Sequence, residues 1–131
     1  MSSTAASFEA VTARAVAYCE AVCHARTEVF EEMCHDRFQM TLIAADGPSY
    51  WDKAAFLERV AGRSAFEGDA SYGIHDVDVA GDEIARVHLW VDVPPLRFED
   101  HLGFVKHDGD WSLLTKVFRV RERLDAGEQG Q

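Results

Sequence analysis

The stretch RFEDHLGFVKHDGDWSLLTKVF, residues 97–118, decides how the rest of the chain is read. Asp108-Gly109 is a strong signal for a two-residue hairpin turn, since both central residues of the favoured turn need positive φ. Residues 97–107 and 110–121 on either side are apolar enough to be its two arms. A two-residue turn pairs His107 with Asp110 and sets Phe104 opposite Leu113, Leu102 opposite Thr115 and His101 opposite Lys116. Leu102, Phe104, Leu113 and Val117 then form the core face, while His101 and Lys116 share the outer face. A three-residue loop slips the pairing by one and puts Asp100 opposite Lys116 on the helix-facing side. There the two charges would form a structural ion pair or orient an anionic ligand. The shorter turn is the commoner form for Asp-Gly, so the outer placement is the expectation.

Upstream of the hairpin the pattern has period two. In Glu83–Val93, Ala85, Val87, Leu89 and Val91 share one face, and Arg86, His88, Trp90 and Asp92 share the other. The apolar face belongs on a layer of helices. The mixed face, with its aromatic, suits an interface between two copies of the chain. Pro94-Pro95 ends that strand. Residues 71–79 form a further strand, joined to it through Gly81-Asp82. Before these, Phe38, Met40 and Leu42 alternate with polar neighbours in a strand from Arg37, and 49–51 is a short returning strand.

The first part of the chain has helical spacing. Val11, Ala15, Tyr18, Cys19 and Val22 recur on one face of a helix over 8–25. Thr27 is expected to cap a second, shorter helix with Val29, Phe30 and Met33 inward, and Asp52 a third over 53–60 with Phe56, Leu57 and Val60 inward. Three helices followed by an antiparallel sheet is an α+β order. One domain is expected, with its core over about 8–121 and tails at 1–7 and 122–131.

The totals set bounds. The chain has 131 residues, 47% hydrophobic and 27% charged, enough to build a core without staples. A net charge of −10 argues against nucleic acid and anionic membrane as partners. No run reaches the roughly 20 apolar residues of a membrane span, and no secretory leader is seen, so a cytoplasmic location is expected. Cys19, Cys23 and Cys34 lack the paired spacing of a zinc site and read as small buried hydrophobes, so neither a metal nor a cofactor is expected.

Four stretches carry a family likeness: FEEMCHDRF (30–38), DKAAFLERVAGR (52–63), DVDVAGDEIARVHL (76–89) and the opening stretch. Together they resemble the nuclear-transport-factor-2-like superfamily, and within it the putative lumazine-binding family. The resemblance implies a cystatin-like cone of curved sheet closed by helices, with an apolar pocket between them, and a homodimer through the outer sheet face. Asp36 stands where the family usually has proline, and His101 where it usually has an aromatic.

The expected ligand is a small apolar or aromatic molecule. Its pocket is assigned to Tyr18, Phe38, Trp51, Phe56, Asp100, His101 and Lys116. Cofactor-free isomerase, cyclase or dehydratase chemistry is the alternative; it needs a carboxylate base in an apolar cavity and a donor for the developing oxyanion. Asp100 or Asp92 would serve as base, and Tyr18, Tyr50 or His101 as donor. His35 is also a candidate base, although a cationic ring capping the second helix accounts for it as well. A third reading has Phe38, Phe56, Phe66 and Phe104 filling the pocket, leaving an assembly module without a ligand.

Overall fold

The structure is a computed structural model, and it describes residues 2–124. Three helices, α1 (Ser2–His24), α2 (Thr27–Met33) and α3 (Lys53–Ala61), pack on a six-stranded sheet. Its strands are β1 (Cys34–Ala44), β2 (Gly47–Asp52), β3 (Tyr72–Ala80), β4 (Ile84–Val93), β5 (Leu96–His107) and β6 (Asp110–Arg123). The sheet order is β2-β1-β6-β5-β4-β3. All neighbours are antiparallel except β1 and β6, so the sheet is mixed rather than wholly antiparallel. The long connection from β2 through α3 to β3 lets the chain return on the far edge and close against β1 with its last strand.

The helical spacing produces the core it implies. Val11, Ala15, Tyr18, Cys19 and Val22 are all buried, as are Phe30, Met33, Phe56 and Val60. They meet Ala85, Val87, Leu89 and Val91 from β4 and Leu102 and Phe104 from β5. Several boundaries differ from the sequence reading, the largest of them around α1, α2 and β1. α1 begins at Ser2, six residues early, and Ser7 is buried, so the helix covers most of the expected first tail. Thr27 is the first residue of α2 and not its cap; Arg26 holds that position without a side-chain bond. β1 begins directly after α2, at Cys34. Asp52 does cap α3, accepting a hydrogen bond of 2.9 Å from the Ala55 N–H. The tail at 125–131 lies outside the described residues.

The hairpin decides the site. Its turn is the two-residue form, with Asp108 at φ 54° and Gly109 at φ 86°, and His107 pairs with Asp110. Phe104 faces Leu113 as expected. The next rung, however, pairs Gly103 with Thr115 and leaves Leu114 as an extra residue in β6. This β-bulge reverses which residues of β6 point inward. Trp111 and Leu113 are buried before it, and Lys116 and Phe118 after it, while Val117 is 48% exposed. The expected pairing of His101 with Lys116 is therefore corrected: Lys116 pairs with Leu102 and faces the helices, and His101 pairs with Val117 on the outer face.

The bulge has a cause in the sequence. Leu113 and Phe118 are both needed in the core, yet residues five apart on a regular strand face opposite ways. One inserted residue reconciles them. Gly103 makes room for it, because a Cβ there would lie 2.3 Å from the Thr115 Oγ1.

Candidate functional site

Between the sheet and the helices lies a cavity of about 470 Å³. β4 and β5 contribute Val91, Phe98 and Asp100, β1 and β6 contribute Met40, Lys116 and Phe118, and α1 contributes Tyr18 and Val22. α3 adds Phe56, Arg59 and Val60, with Arg63 just beyond its end, and the Pro94-Pro95 turn completes the lining. The cavity opens where its lining residues are exposed, at Glu58, Arg59, Pro94 and Pro95.

Most of this surface is apolar, and two of its polar side chains are deeply buried. Asp100 is 1% exposed and Lys116 6%. The Tyr18 hydroxyl donates a hydrogen bond to the Asp100 Oδ2. The other carboxylate oxygen, Oδ1, is buried without a hydrogen-bond partner among the described residues. A buried, partnerless carboxylate oxygen is costly, and such groups are retained where something else uses them. Lys116 forms no ion pair among the described residues. Its Nζ lies instead 4.4 Å from the ring centre of Phe118, 5.1 Å from that of Phe56 and 5.3 Å from that of Tyr18. Three ring faces offer a cation partial compensation for lost water.

The electrostatics follow from burial. Burial pushes the Asp100 carboxyl above its ordinary range, against the opposing pull of Lys116 and the Tyr18 hydrogen bond. Burial pushes the Lys116 ammonium down, with Asp100 pulling it back up. Tyr18 is driven well above its usual range, first by burial and then by the Asp100 charge. Arg63, whose guanidinium donates to the Val22 carbonyl at 3.2 Å, is also lowered by burial. The cavity thus holds an acid and a base, each shifted toward its neutral form, beside two arginines.

The residues singled out in the sequence divide into two groups. Tyr18, Phe56, Asp100 and Lys116 come together at the cavity. Phe38 is buried behind it, its ring 5.3 Å from that of Phe56. Trp51 stands beyond Phe118 at 6.5 Å, with the Arg59 guanidinium 4.5 Å from its ring centre. His35 is the second residue of strand β1 and not the cap of α2, a place Cys34 takes; its Nδ1 accepts from the Arg37 N–H at 3.0 Å. His101 is exposed on the outer face. These four do not line the cavity. Asp92 forms a two-point pair with Arg97 at 2.7 and 3.0 Å, and Tyr50 is 62% exposed. Phe66 is 39% exposed and does not fill the cavity. Cys19, Cys23 and Cys34 are buried free thiols, and burial pushes Cys34 up to about 12.

The sequence reading missed Arg59, Arg63, Phe98 and Phe118. The arginines had a usable signal, since 56, 59, 60 and 63 fall on one helical face. Phe118 had none until the bulge placed it.

The family described as putative lumazine-binding matches residues 6–119. The chain belongs to that family. Its fold matches an NTF2-like protein of unknown function from Silicibacter pomeroyi with TM-score 0.83 at 25% identity, covering 90% of this chain and 98% of that one. A putative scytalone dehydratase from Novosphingobium aromaticivorans shares the fold at TM-score 0.72 and 16% identity, over 94% and 89% of the two chains. A ketosteroid isomerase-like protein from Erwinia carotovora atroseptica does so at TM-score 0.69 and 17% identity, over 88% and 96%. No curated protein matches the chain. The α+β, nuclear-transport-factor-2-like architecture is thereby established, and no described helix is long and apolar enough to cross a membrane.

Proposed function

We propose that this member of the putative lumazine-binding family binds a small apolar or aromatic molecule in the cavity. The ligand's ring or chain lies against Phe56, Phe98 and Phe118, and an electron-rich oxygen faces Lys116. The observation that carries this reading is the pairing of an apolar cavity of ligand size with a buried lysine that has no carboxylate partner among the described residues. The open volume of about 470 Å³ supports this reading over an assembly module whose own side chains fill the space. A thermal-shift screen of small aromatic acids, heterocycles and steroids tests the proposal. A ligand at a hundred times its Kd adds about 2.7 kcal/mol of stability. Hits are expected among molecules with one oxygen head on an apolar body; no stabilisation by any of them would contradict the reading.

One observation favours a second, catalytic reading. Asp100 combines full burial, a raised carboxyl and an unpartnered Oδ1, which suits an acid–base group of a cofactor-free isomerase or dehydratase. The Tyr18 hydroxyl is spent on Asp100, so Lys116 is the donor placed to stabilise an oxyanion. Exchange of an acidic C–H of a bound ketone into deuterium oxide, followed by proton NMR, separates the readings. Exchange abolished by Asp100→Asn supports catalysis, and binding without exchange leaves a carrier.

We also read the outer sheet face as the surface on which two copies pair, because Val117 lies exposed there on β6 and the half-buried Trp90 shares that face on β4. Sedimentation equilibrium of the native chain against Val117→Glu tests it.

A further inference from the structure

The outer face carries a second cluster, separate from the cavity. His75 on β3, His88 on β4 and Glu99 on β5 each offer a donor atom, and these atoms all lie within 4.8 Å of one another. The His75 and His88 rings are 4.5 Å apart between centres, and the His88 Nε2 is 2.7 Å from the Glu99 Oε2. We infer that His75, His88 and Glu99 form a binding site for a divalent transition metal of the zinc class.

Three features support this. The first is the backbone. Ile74 pairs with Leu89, and Asp76 rather than His75 pairs with His88, so His75 is the extra residue of a bulge in β3. The bulge lets Ile74 and Val77 both pack against the core, and it leaves His75 and Asp76 together opposite His88. The second is the carboxylate's fixation. The Glu99 Oε1 accepts from the Arg119 Nη1 at 2.7 Å, which orients the group and leaves Oε2 turned to the imidazoles. Hydrogen bonds of this kind commonly hold metal-ligating carboxylates in place. The third is the donor set. Two imidazoles and one carboxylate suit zinc, cobalt, nickel or copper, and they leave a fourth position for water.

Bonds of about 2.0–2.1 Å to a tetrahedral ion place donors about 3.3 Å apart. The His88–Glu99 contact must therefore open slightly and the His75 ring must close in. His75 is exposed and His88 and Glu99 are half-buried, so the adjustment disturbs no core residue. The three donors come from one chain, and a second copy on this face is not required. His101 stands on the far side of His88, its ring edge-on at 4.7 Å, where it packs the ring in place.

The test uses the full chain without an affinity tag. Titration with cobalt(II), followed by visible absorption, and with zinc, followed by calorimetry, is expected to show one ion per chain. His75→Ala and His88→Ala are each expected to weaken binding by more than the roughly 10–100-fold that losing an outer-sphere partner costs. His107→Ala, at the tip of the β5–β6 hairpin, should bind like the native chain. Because His75 is exposed, its variant keeps the fold, and circular dichroism checks this. Paramagnetic broadening by nickel should reach the ring protons of His75 and His88 and spare those of His24 and His35. Zinc binding unchanged in both histidine variants, or no binding up to millimolar zinc, overturns the proposal.

Discussion

Lys116 was the residue whose place mattered most, and it sits inside. A lysine buried against three aromatic rings and a carboxylate buried with one oxygen unpartnered make opposite demands on pH. The raised Asp100 carboxyl binds its proton more tightly folded than unfolded. Above the ordinary carboxylate value of 3.8 the unfolded chain releases that proton first, so stability falls as pH rises toward the folded value. Lys116 works in the reverse sense. Its lowered folded value means that the protonated lysine favours the unfolded chain, and stability recovers as pH climbs toward 10.5. Urea unfolding followed from pH 4 to 10 should therefore show a shallow dip for the native chain. Asp100→Asn should remove the acid-side fall and leave the alkaline recovery. An unchanged fall in that variant would assign it to other carboxylates.

At the scale of elements, two junctions hold the cavity's shape. Asp52 caps α3, which delivers Phe56, Arg59 and Val60 to the lining. Asp52→Ala is expected to cost about 1 kcal/mol, read as a lower urea midpoint at unchanged slope. The β6 bulge is the second junction. Gly103→Ala drives a methyl group toward the Thr115 Oγ1 and should cost about 1–3 kcal/mol. Adding Thr115→Ala should restore most of that loss, because the clash is with the hydroxyl. A double-mutant cycle with no coupling would contradict the bulge geometry.

These elements also show what the sequence could and could not reveal. The helix faces were legible because Val11, Ala15, Tyr18, Cys19 and Val22 keep one period throughout. The β4 face and the Asp108-Gly109 turn were legible for the same local reason. The orientation of Lys116 was not, because it depends on one inserted residue in β6. Gly103 inside a strand was the available hint, since such a glycine often marks a bulge. The parallel pairing of β1 with β6 is a contact between distant segments and leaves no local trace.

As a whole molecule, the chain is a cone-like α+β fold of the putative lumazine-binding family. The fold supplies a place and not a reaction. The cavity of this chain holds a tyrosine–aspartate pair, a lysine among three aromatic rings and flanking arginines. Of the residues assigned to a pocket from sequence, Tyr18, Phe56, Asp100 and Lys116 meet there; His101 faces away. Lys116 and His101 thus serve different faces of one sheet.

The most direct measurement is calorimetric binding of the best-stabilising oxygen-headed ligand to the native chain, Lys116→Met and His101→Ala. Removing a charged hydrogen-bond donor costs about 1.5–3 kcal/mol, so Lys116→Met should weaken binding roughly 10- to 150-fold. His101→Ala should bind like the native chain. Equal affinity in all three proteins, or a loss confined to His101→Ala, would place the ligand elsewhere and contradict the account.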